Sequence, residues 1–340
     1  MLMQATRRQM LSLAAAAVIA PRTASAETLP PLVFAEFGPK PPDRGAYDQA
    51  IDKGADFLTA PIVAAKDGTF FVAPDLDLTG FTDVAARAEF ADRRRPATID
   101  GVSVTGWFAP DFTGPELRSL VTGPAGPTHS RAQPAPPGLL TLHEVIDIAR
   151  AGSVRQARVV GVCPQLIHPA FFDAQDLAIE SRLAGLIRLA GYDSAAAAMI
   201  VMSREPTAMR ALAGASRVRR VQLIDAAGGP ADPTAPRYQA MAQPDGLNLV
   251  RSWAGAIAPD DSLLIQPGVK GAFAVSGLTA AAHQAGLAVF ARASAAQDAG
   301  ALRARLTALF LAGVDGVMCQ DIGQAVRARG AAMDRLRPHD

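Results

Sequence analysis

Short apolar segments alternate with helical patterns along most of the chain, and this alternation constrains the fold more than any other feature. The eight candidate strands are 32–35, 56–63, 158–162, 199–202, 218–224, 253–257, 287–290 and 314–318. Strands that alternate with helices indicate βα units and a parallel sheet. For about 250 repeating residues a closed (β/α)8 barrel is the natural arrangement, with an open doubly wound sheet as the alternative. No GxGxxG follows a strand to favour a nucleotide-binding open sheet.

Helix boundaries are predicted from capping residues. Thr141 with Glu144 forms a capping-box pattern, so a helix is expected from Thr141 to Ala149, ended by Gly152. A longer helix is expected from about 173 to 190, and a last helix from 321 to 329.

One stretch, 77–138, is rich in Gly, Pro and charge, and it interrupts the alternation. It is predicted to be an insertion between barrel units, partly a loop. Its apolar residues Trp107, Phe108 and Phe112 are expected to pack on the barrel. The domain prediction is a single barrel over 27–330, followed by a C-terminal tail over 331–340.

The N-terminal segment is typical of a targeting signal. Arg7 and Arg8 precede an apolar run from Met10 to Ala20, and a small-x-small site ends at Ala26. This order predicts a signal peptide over 1–26, of the twin-arginine type. The apolar run is too short to span a bilayer. The expected location is therefore the periplasm or the exterior.

Charge and cysteine content narrow the function classes. Cleavage after Ala26 would leave 314 residues with 30 basic and 32 acidic side chains, so nucleic acid is an unsuitable partner. Cys163 and Cys319 end the third and eighth strands, which are not neighbours, so free thiols are expected rather than a disulfide. Five histidines and many carboxylates leave a metallohydrolase open on composition alone.

Several motifs, in this order and spacing, resemble the exported branch of the glycerophosphodiester phosphodiesterases. They are 54–58, 66–68, Asp75, 82–84, 106–113, 116–117, 140–146, 221–224 and 312–317. The resemblance extends from about Leu32 to Val326. It implies a (β/α)8 barrel with an insertion after the second strand. It also implies hydrolysis of glycerophosphodiesters to glycerol 3-phosphate and an alcohol.

The family's chemistry uses Ca²⁺ or Mg²⁺ held by carboxylates and two histidines for proton transfer. By resemblance, the His-Arg-Gly motif falls on 36–38, Glu-x-Asp on 59–61, His-Asp on 74–75 and Glu-x-Lys on 165–167, with a seventh-strand histidine at 290. Glu36, Phe37 and Pro74 therefore stand at catalytic positions. Thr59, Pro61 and Gln165 stand at metal-ligand positions.

These replacements predict that the ancestral activity is lost. Neutral Thr59, Pro61 and Gln165 cannot supply the charge that a hard cation requires, so no metal cofactor is expected. Pro74 has no proton to exchange, and Phe37 with Ile167 removes the positive charge that would hold a phosphate.

Other polar side chains are predicted at the carboxyl ends of the strands. They are Glu36, Thr59, Asp75, Gln165, His168, Ser203, Asp225, Asp260, Arg292 and Asp321. Glu36 is expected to form an ion pair with Arg292, the alternative being a carboxylate pair or weak cation site with Asp75.

The histidines are mostly expected in solvent. His168 is the one histidine expected near the strand ends, where a surface-loop position is favoured over a catalytic role, because its sequence neighbours offer no carboxylate. The other four, His129, His143, His283 and His339, are predicted to be solvated.

Three functional hypotheses follow, and whether the chain is an enzyme stays open. The first is a catalytically degenerate barrel that binds a small phosphodiester, polyol or sugar, or a protein partner. The second is a phosphodiesterase that uses other residues. The third is a barrel with different, metal-free hydrolytic chemistry.

Overall fold

The protein is described by a computed structural model that covers residues 30–123, 138–268, 272–296 and 298–337. The strands are β1 (Leu32–Ala35), β2 (Phe57–Ala64), β3 (Phe70–Val72), β4 (Arg95–Ile99), β5 (Val102–Gly106), β6 (Gly161–Leu166), β7 (Ile200–Ser203), β8 (Arg219–Ile224), β9 (Ala256–Pro259), β10 (Ile265–Pro267), β11 (Phe273–Val275), β12 (Ala288–Arg292) and β13 (Gly316–Cys319).

The helices lie mostly between these strands. They are α1 (Arg44–Asp52), α2 (Gly114–Ser119), α3 (Leu142–Arg155), α4 (Pro169–Asp173), α5 (Ile179–Leu189), α6 (Pro206–Ala215), α7 (Tyr238–Met241), α8 (Pro244–Val250), α9 (Leu278–Gln284), α10 (Ala299–Leu311) and α11 (Ile322–Leu336). None of the helices in the described ranges combines the length and apolarity that crossing a lipid bilayer requires.

Eight of the strands close into a parallel barrel. Their order around the ring is β1, β13, β12, β9, β8, β7, β6 and β2, and β1 pairs with β2 to complete it. The strand β3 runs antiparallel to β2 outside the ring. The predicted (β/α)8 barrel is confirmed, and the open sheet is excluded.

Alternate residues of the strands fill the barrel interior. Phe34 of β1 lies between Phe57 and Phe290, with ring centroids 5.0 and 4.8 Å away. Intervening strand residues such as Val33 and Leu58 face the helices and belong to the larger outer core. The period of two in each strand thus separates two apolar layers.

The region between β3 and α3 is folded against the barrel rather than being a plain loop. The hairpin β4–β5 turns at Asp100 and Gly101, whose φ angles are +47° and +82°. The Trp107 indole donates a hydrogen bond to the Phe90 carbonyl at 2.7 Å. Phe108 and Phe112 are fully buried, in line with the expected packing of this apolar segment. Residues 124–137, which belong to the predicted insertion, lie outside the described ranges.

Three predicted helix boundaries are wrong. The helix α3 continues past Gly152 to Arg155, because Gly152 serves close packing: a Cβ there would lie 2.5 Å from Ile51. The helix expected over 173–190 begins only at Ile179, as α5, because the separate helix α4 ends at Asp173. The last helix, α11, extends to Leu336, into the segment predicted as a tail.

Candidate functional site

Because the eight strands are parallel, their carboxyl ends meet at one face, here called the barrel mouth. Charged side chains follow the strands directly at this face. They are Glu36 after β1, Arg204 after β7, Asp225 after β8, Asp260 after β9 and Arg292 at the end of β12.

Arg292 is the centre of an ion-pair network at the mouth. Its Nη2 donates to a carboxylate oxygen of Asp225 and to one of Asp260. Arg204 Nε binds the other Asp225 oxygen at 2.8 Å, and the second Asp260 oxygen accepts the Ala226 amide. Burial alone would raise the pKa of Asp225, but the hydrogen bond and charge of Arg204, together with Arg292, hold it below its usual value.

Arg204 was missed by the sequence analysis. The signal was present, since Arg204 follows an apolar strand at the same point as the residues that were named. Its guanidinium is held by the ion pair with Asp225, so it is part of the same network.

The predicted ion pair between Glu36 and Arg292 is not formed, because Arg292 is engaged by the two aspartates. Burial raises the pKa of the Glu36 carboxyl, and the charges of Arg292 and Arg204 oppose that rise only in part. Asp75, the alternative partner of Glu36, has one carboxylate oxygen 3.8 Å from Nε2 of His168.

His168 lies in the bend between β6 and α4, as expected for a loop position, but its side chain is only 25% exposed and has a carboxylate partner. Its Nδ1 lies 2.6 Å from a carboxylate oxygen of Asp100, at the tip of the β4–β5 hairpin. Burial would lower the pKa of His168, but the hydrogen bond and charge of Asp100, with the charge of Asp75, raise it. The carboxylate was missed because it lies 68 residues away in sequence.

The backbone at this contact is unusual. His168 has φ +46° and ψ +51°, and Asp100 has φ +47°. Proline at 169 disfavours helical conformations of the residue before it, so the left-handed geometry of His168 carries strain. Such strain is retained only where surrounding contacts impose it.

A groove opens between the β4–β5 hairpin and α4, beside the mouth. Its volume is about 570 Å³. Asp100, Phe171 and Gln175 line it, and the ion pair between Arg95 and Asp111 forms part of its wall. The hairpin and α4 thus enclose a cavity of ligand size.

The positions that correspond to the family's metal ligands are brought together, but their chemistry does not suit a cation. Pro61 of β2 pairs in register with Gln165 of β6. The Thr59 hydroxyl is buried and donates to the Ala35 carbonyl at 2.6 Å. These neutral groups do not fit a hard divalent ion. Within the described ranges no group of three or more His, Cys, Asp or Glu is arranged to hold a metal.

The positions of the family's arginine and seventh-strand histidine carry apolar packing. The Phe37 ring contacts Tyr47 edge-on, with centroids 4.7 Å apart. Phe290 lies inside the barrel and is fully buried. Neither side chain offers a charge or a proton to a ligand.

Two further predicted mouth residues have local backbone roles. Asp321 accepts the Gln324 amide at 3.0 Å and caps α11. The Ser203 hydroxyl is buried and accepts the Glu205 amide at 3.1 Å. Both side chains are engaged within their own turns.

The remaining histidines and the cysteines lie away from the mouth or inside the barrel wall. His283 was predicted to be solvated, but its Nε2 lies 2.8 Å from a carboxylate oxygen of Asp315. His143 is exposed, and His129 and His339 lie outside the described ranges. Cys163 and Cys319 are buried free thiols, and burial raises the pKa of Cys319 to about 11.

Part of the chain is similar in sequence to a known protein. Over 130 residues the chain is 37% identical to glycerophosphodiester phosphodiesterase GDPD6 of Arabidopsis thaliana, covering 38% of this chain and 34% of that protein. The match thus spans about a third of that relative's length.

Solved structures give the same architecture. A glycerophosphodiester phosphodiesterase from Agrobacterium tumefaciens superposes with a TM-score of 0.55 at 15% identity, over 88% of this chain and 100% of that one. An Oleispira antarctica phosphodiesterase in complex with the product sn-glycerol-3-phosphate gives 0.54 at 15% identity, over 88% and 96%. The model of the glycerophosphoryl diester phosphodiesterase family matches residues 45–324, most of the barrel, and the chain therefore belongs to that family.

Proposed function

We propose that this family member has lost the metal-dependent phosphodiesterase reaction and binds a small ligand at the barrel mouth. The proposal rests on the side chains that stand at the family's catalytic and metal-ligand positions. Glu36 replaces one catalytic histidine and Pro74 the other, while Thr59, Pro61 and Gln165 replace ligands of the metal. The general acid, the general base and the ligands of the metal ion are thus all missing.

The charges at the mouth favour a neutral polyol or sugar over a phosphodiester. Both mouth arginines, Arg204 and Arg292, already contact aspartates. The carboxylates of Asp75 and Asp100 lie in the same region and would repel a diester anion. Hydroxyl groups of a polyol can donate to such carboxylates without adding charge.

We further propose that the protein is exported through the twin-arginine route and acts in the periplasm or outside the cell. The support is the order of Arg7 and Arg8, the apolar run and the small-residue site at Ala26. Fractionation of cells expressing the full chain and an Arg7→Lys, Arg8→Lys variant checks this. Cytoplasmic location of both forms would contradict it.

The first experiment asks whether the reaction is absent. Purified protein without residues 1–26 is incubated with glycerophosphocholine and Ca²⁺ or Mg²⁺, beside an active family member. We expect no release of glycerol 3-phosphate above the no-protein blank. Glu36→His alone is expected to stay inactive, because the second histidine and the metal ligands are still missing. Metal-dependent turnover by the unmodified chain would overturn the proposal.

The second experiment asks what binds. Thermal unfolding is followed with a panel of polyols, sugars and phosphodiesters, since a ligand that binds only the folded state raises the midpoint. We expect stabilisation by a neutral polyhydroxy compound and its loss in Asp75→Asn. A response restricted to phosphodiesters would contradict the assignment of ligand class.

One observation favours a second candidate, metal-free hydrolysis. The contact between His168 and Asp100 holds an imidazole beside the groove, in the arrangement that orients a general base. In that case hydrolysis of an ester or glycoside would persist in EDTA and be lost in His168→Gln. Failure of a broad panel of chromogenic substrates removes this candidate.

A further inference from the structure

A second cavity lies at the opposite end of the barrel, where β8 and β9 begin. Its volume is about 270 Å³. Four arginines line it, Arg217, Arg219, Arg220 and Arg251, together with Trp253 and Gly255. The ligand proposed for the mouth does not involve these residues, so any role of the cavity is separate.

Among the described residues, three of the four arginines have no carboxylate in direct contact. Arg217 and Arg251 line the cavity beside Arg220, whose guanidinium donates to neutral backbone carbonyls rather than to a carboxylate. Asp193 is the acid that interacts with Arg217, but its Oδ1 accepts from the Ser216 hydroxyl at 2.8 Å and from the Arg217 amide at 2.7 Å. A further guanidinium, that of Arg210, lies 4.2 Å from the centroid of the Trp253 ring.

Two of the arginines are fixed in place by backbone carbonyls. Arg220 Nε donates to the Trp253 carbonyl and its Nη1 to the Val218 carbonyl, both at 2.8 Å. Arg219 Nη2 donates to the Ala197 carbonyl at 2.7 Å. The loop that carries these contacts is held in turn by Trp253, whose indole donates to Gln222. Ligand binding would therefore order few additional side chains on this wall.

Burial makes the Arg220 cation costly, and it lowers the pKa of this side chain. A buried cation is stabilised when an anion approaches it, because the desolvation cost is then offset by Coulomb attraction. The opposite wall, with exposed Arg217 and Arg251, leaves the cavity open to solvent.

The backbone leaves room for a ligand. Gly255 lines the cavity, and a Cβ at this position would meet no atom within 4 Å. The volume is below the usual range of about 300–1,000 Å³ for drug-sized ligands, so a compact group fits best. Arginine is the residue of choice for planar, two-point contacts with phosphate oxygens.

We propose that this cavity is an anion site that takes a compact tetrahedral oxyanion, a phosphate group presented either free, as a small monoester, or on a lipid headgroup. Arg217 and Arg251 close on the anion from the solvent side. Arg220 forms the fixed wall against which it rests.

The experiment uses the mature protein with inorganic phosphate as the probe. We expect phosphate to raise the unfolding midpoint saturably, by at least about 2 °C, with no equal rise from chloride at the same ionic strength. The Arg217→Gln, Arg251→Gln double variant loses the rise; both side chains are exposed, so the fold should persist. Arg335→Gln in α11, an exposed arginine that does not line the cavity, keeps it.

A second variant distinguishes binding in the cavity from a general effect of the protein's net charge. Gly255→Val fills the open space without changing charge, and we expect it to reduce the phosphate response as well. Flotation with phosphatidylcholine vesicles, with and without phosphatidate, distinguishes the sources: retention that the double variant loses identifies a headgroup, and no retention identifies a soluble anion. An equal phosphate response in the parent protein and the double variant, or none in either, overturns the proposal.

Discussion

At the scale of single residues, the charge distribution of the mouth depends on which carboxylate each cationic side chain contacts. Arg292 contacts Asp225 and Asp260, and His168 contacts Asp100. Glu36 is left beside this network with burial raising the pKa of its carboxyl. Arg204 and Arg292 thus occupy the carboxylates of Asp225 and Asp260.

The contact between His168 and Asp100 predicts a pH-dependent stability. The folded-state pKa of His168 lies above its ordinary value, so the pair stabilises the fold below the ordinary pKa, and the effect is lost as pH rises through the raised one. We expect Asp100→Asn to lower the free energy of unfolding by about 1 kcal/mol at pH 5.5 and by much less at pH 8.5, because the pair is partly open to solvent.

The measurement is urea unfolding at both pH values. Asn tolerates the left-handed backbone at position 100, so the substitution adds little strain. Asp147→Asn is the matched control, since Asp147 lies 4.0 Å from the exposed His143 and should show no such pH dependence. Equal destabilisation at both pH values would show that the charge on His168 is not responsible.

At the scale of elements, two glycines permit close approach of neighbouring segments. Gly152 lets α3 approach α1 at Ile51, and Gly161 lets β6 begin beside the Phe57 ring. The first misled the helix prediction, because glycine within a helix pattern is typical of a helix end. Both are explained by packing across elements rather than by local backbone preference.

We expect Gly161→Ala to destabilise the barrel by about 1–3 kcal/mol, because its Cβ would lie 2.2 Å from the Phe57 ring, which is packed against Phe34. Gly185→Ala is the control within α5. A Cβ at Gly185 would meet no atom within 4 Å, so this variant should gain about 0.5–1 kcal/mol from helix propensity. Chemical denaturation of the two variants measures both effects; a neutral Gly161→Ala would mean that the ring moves freely aside.

At the scale of the whole molecule, ring closure places eight strand ends on one face and a folded hairpin over its edge. The turn at Asp100 reaches His168, so the insertion contributes directly to the mouth. The same closure places four arginines together at the opposite end. The two ends of the barrel therefore differ in charge: the mouth carries ion pairs of both signs, and the opposite end carries mainly arginines.

The neutral side chains of Thr59, Pro61 and Gln165 predict insensitivity to calcium. Millimolar Ca²⁺ should leave the unfolding midpoint unchanged, since a ligand stabilises only a folded state that binds it. Differential scanning fluorimetry with Ca²⁺, with Mg²⁺ and with EDTA measures this, and an active family member provides the positive control. A saturable rise with Ca²⁺ would reveal a cation site and would contradict the predicted absence of a metal cofactor.

The sequence by itself determined the alternation of strands and helices, because apolar periodicity and caps such as Thr141 with Glu144 are local signals that each segment carries independently. It also located the mouth residues, since carboxyl ends of parallel strands share a face. Only the tertiary structure decided their partners. Asp100 and His168, or Asp225 and Arg292, are 68 and 67 residues apart, and such pairs meet only once the ring closes and the hairpin folds over it. The physical reason is that helix and strand patterns arise from neighbours along the chain, whereas charge pairing depends on distance in space.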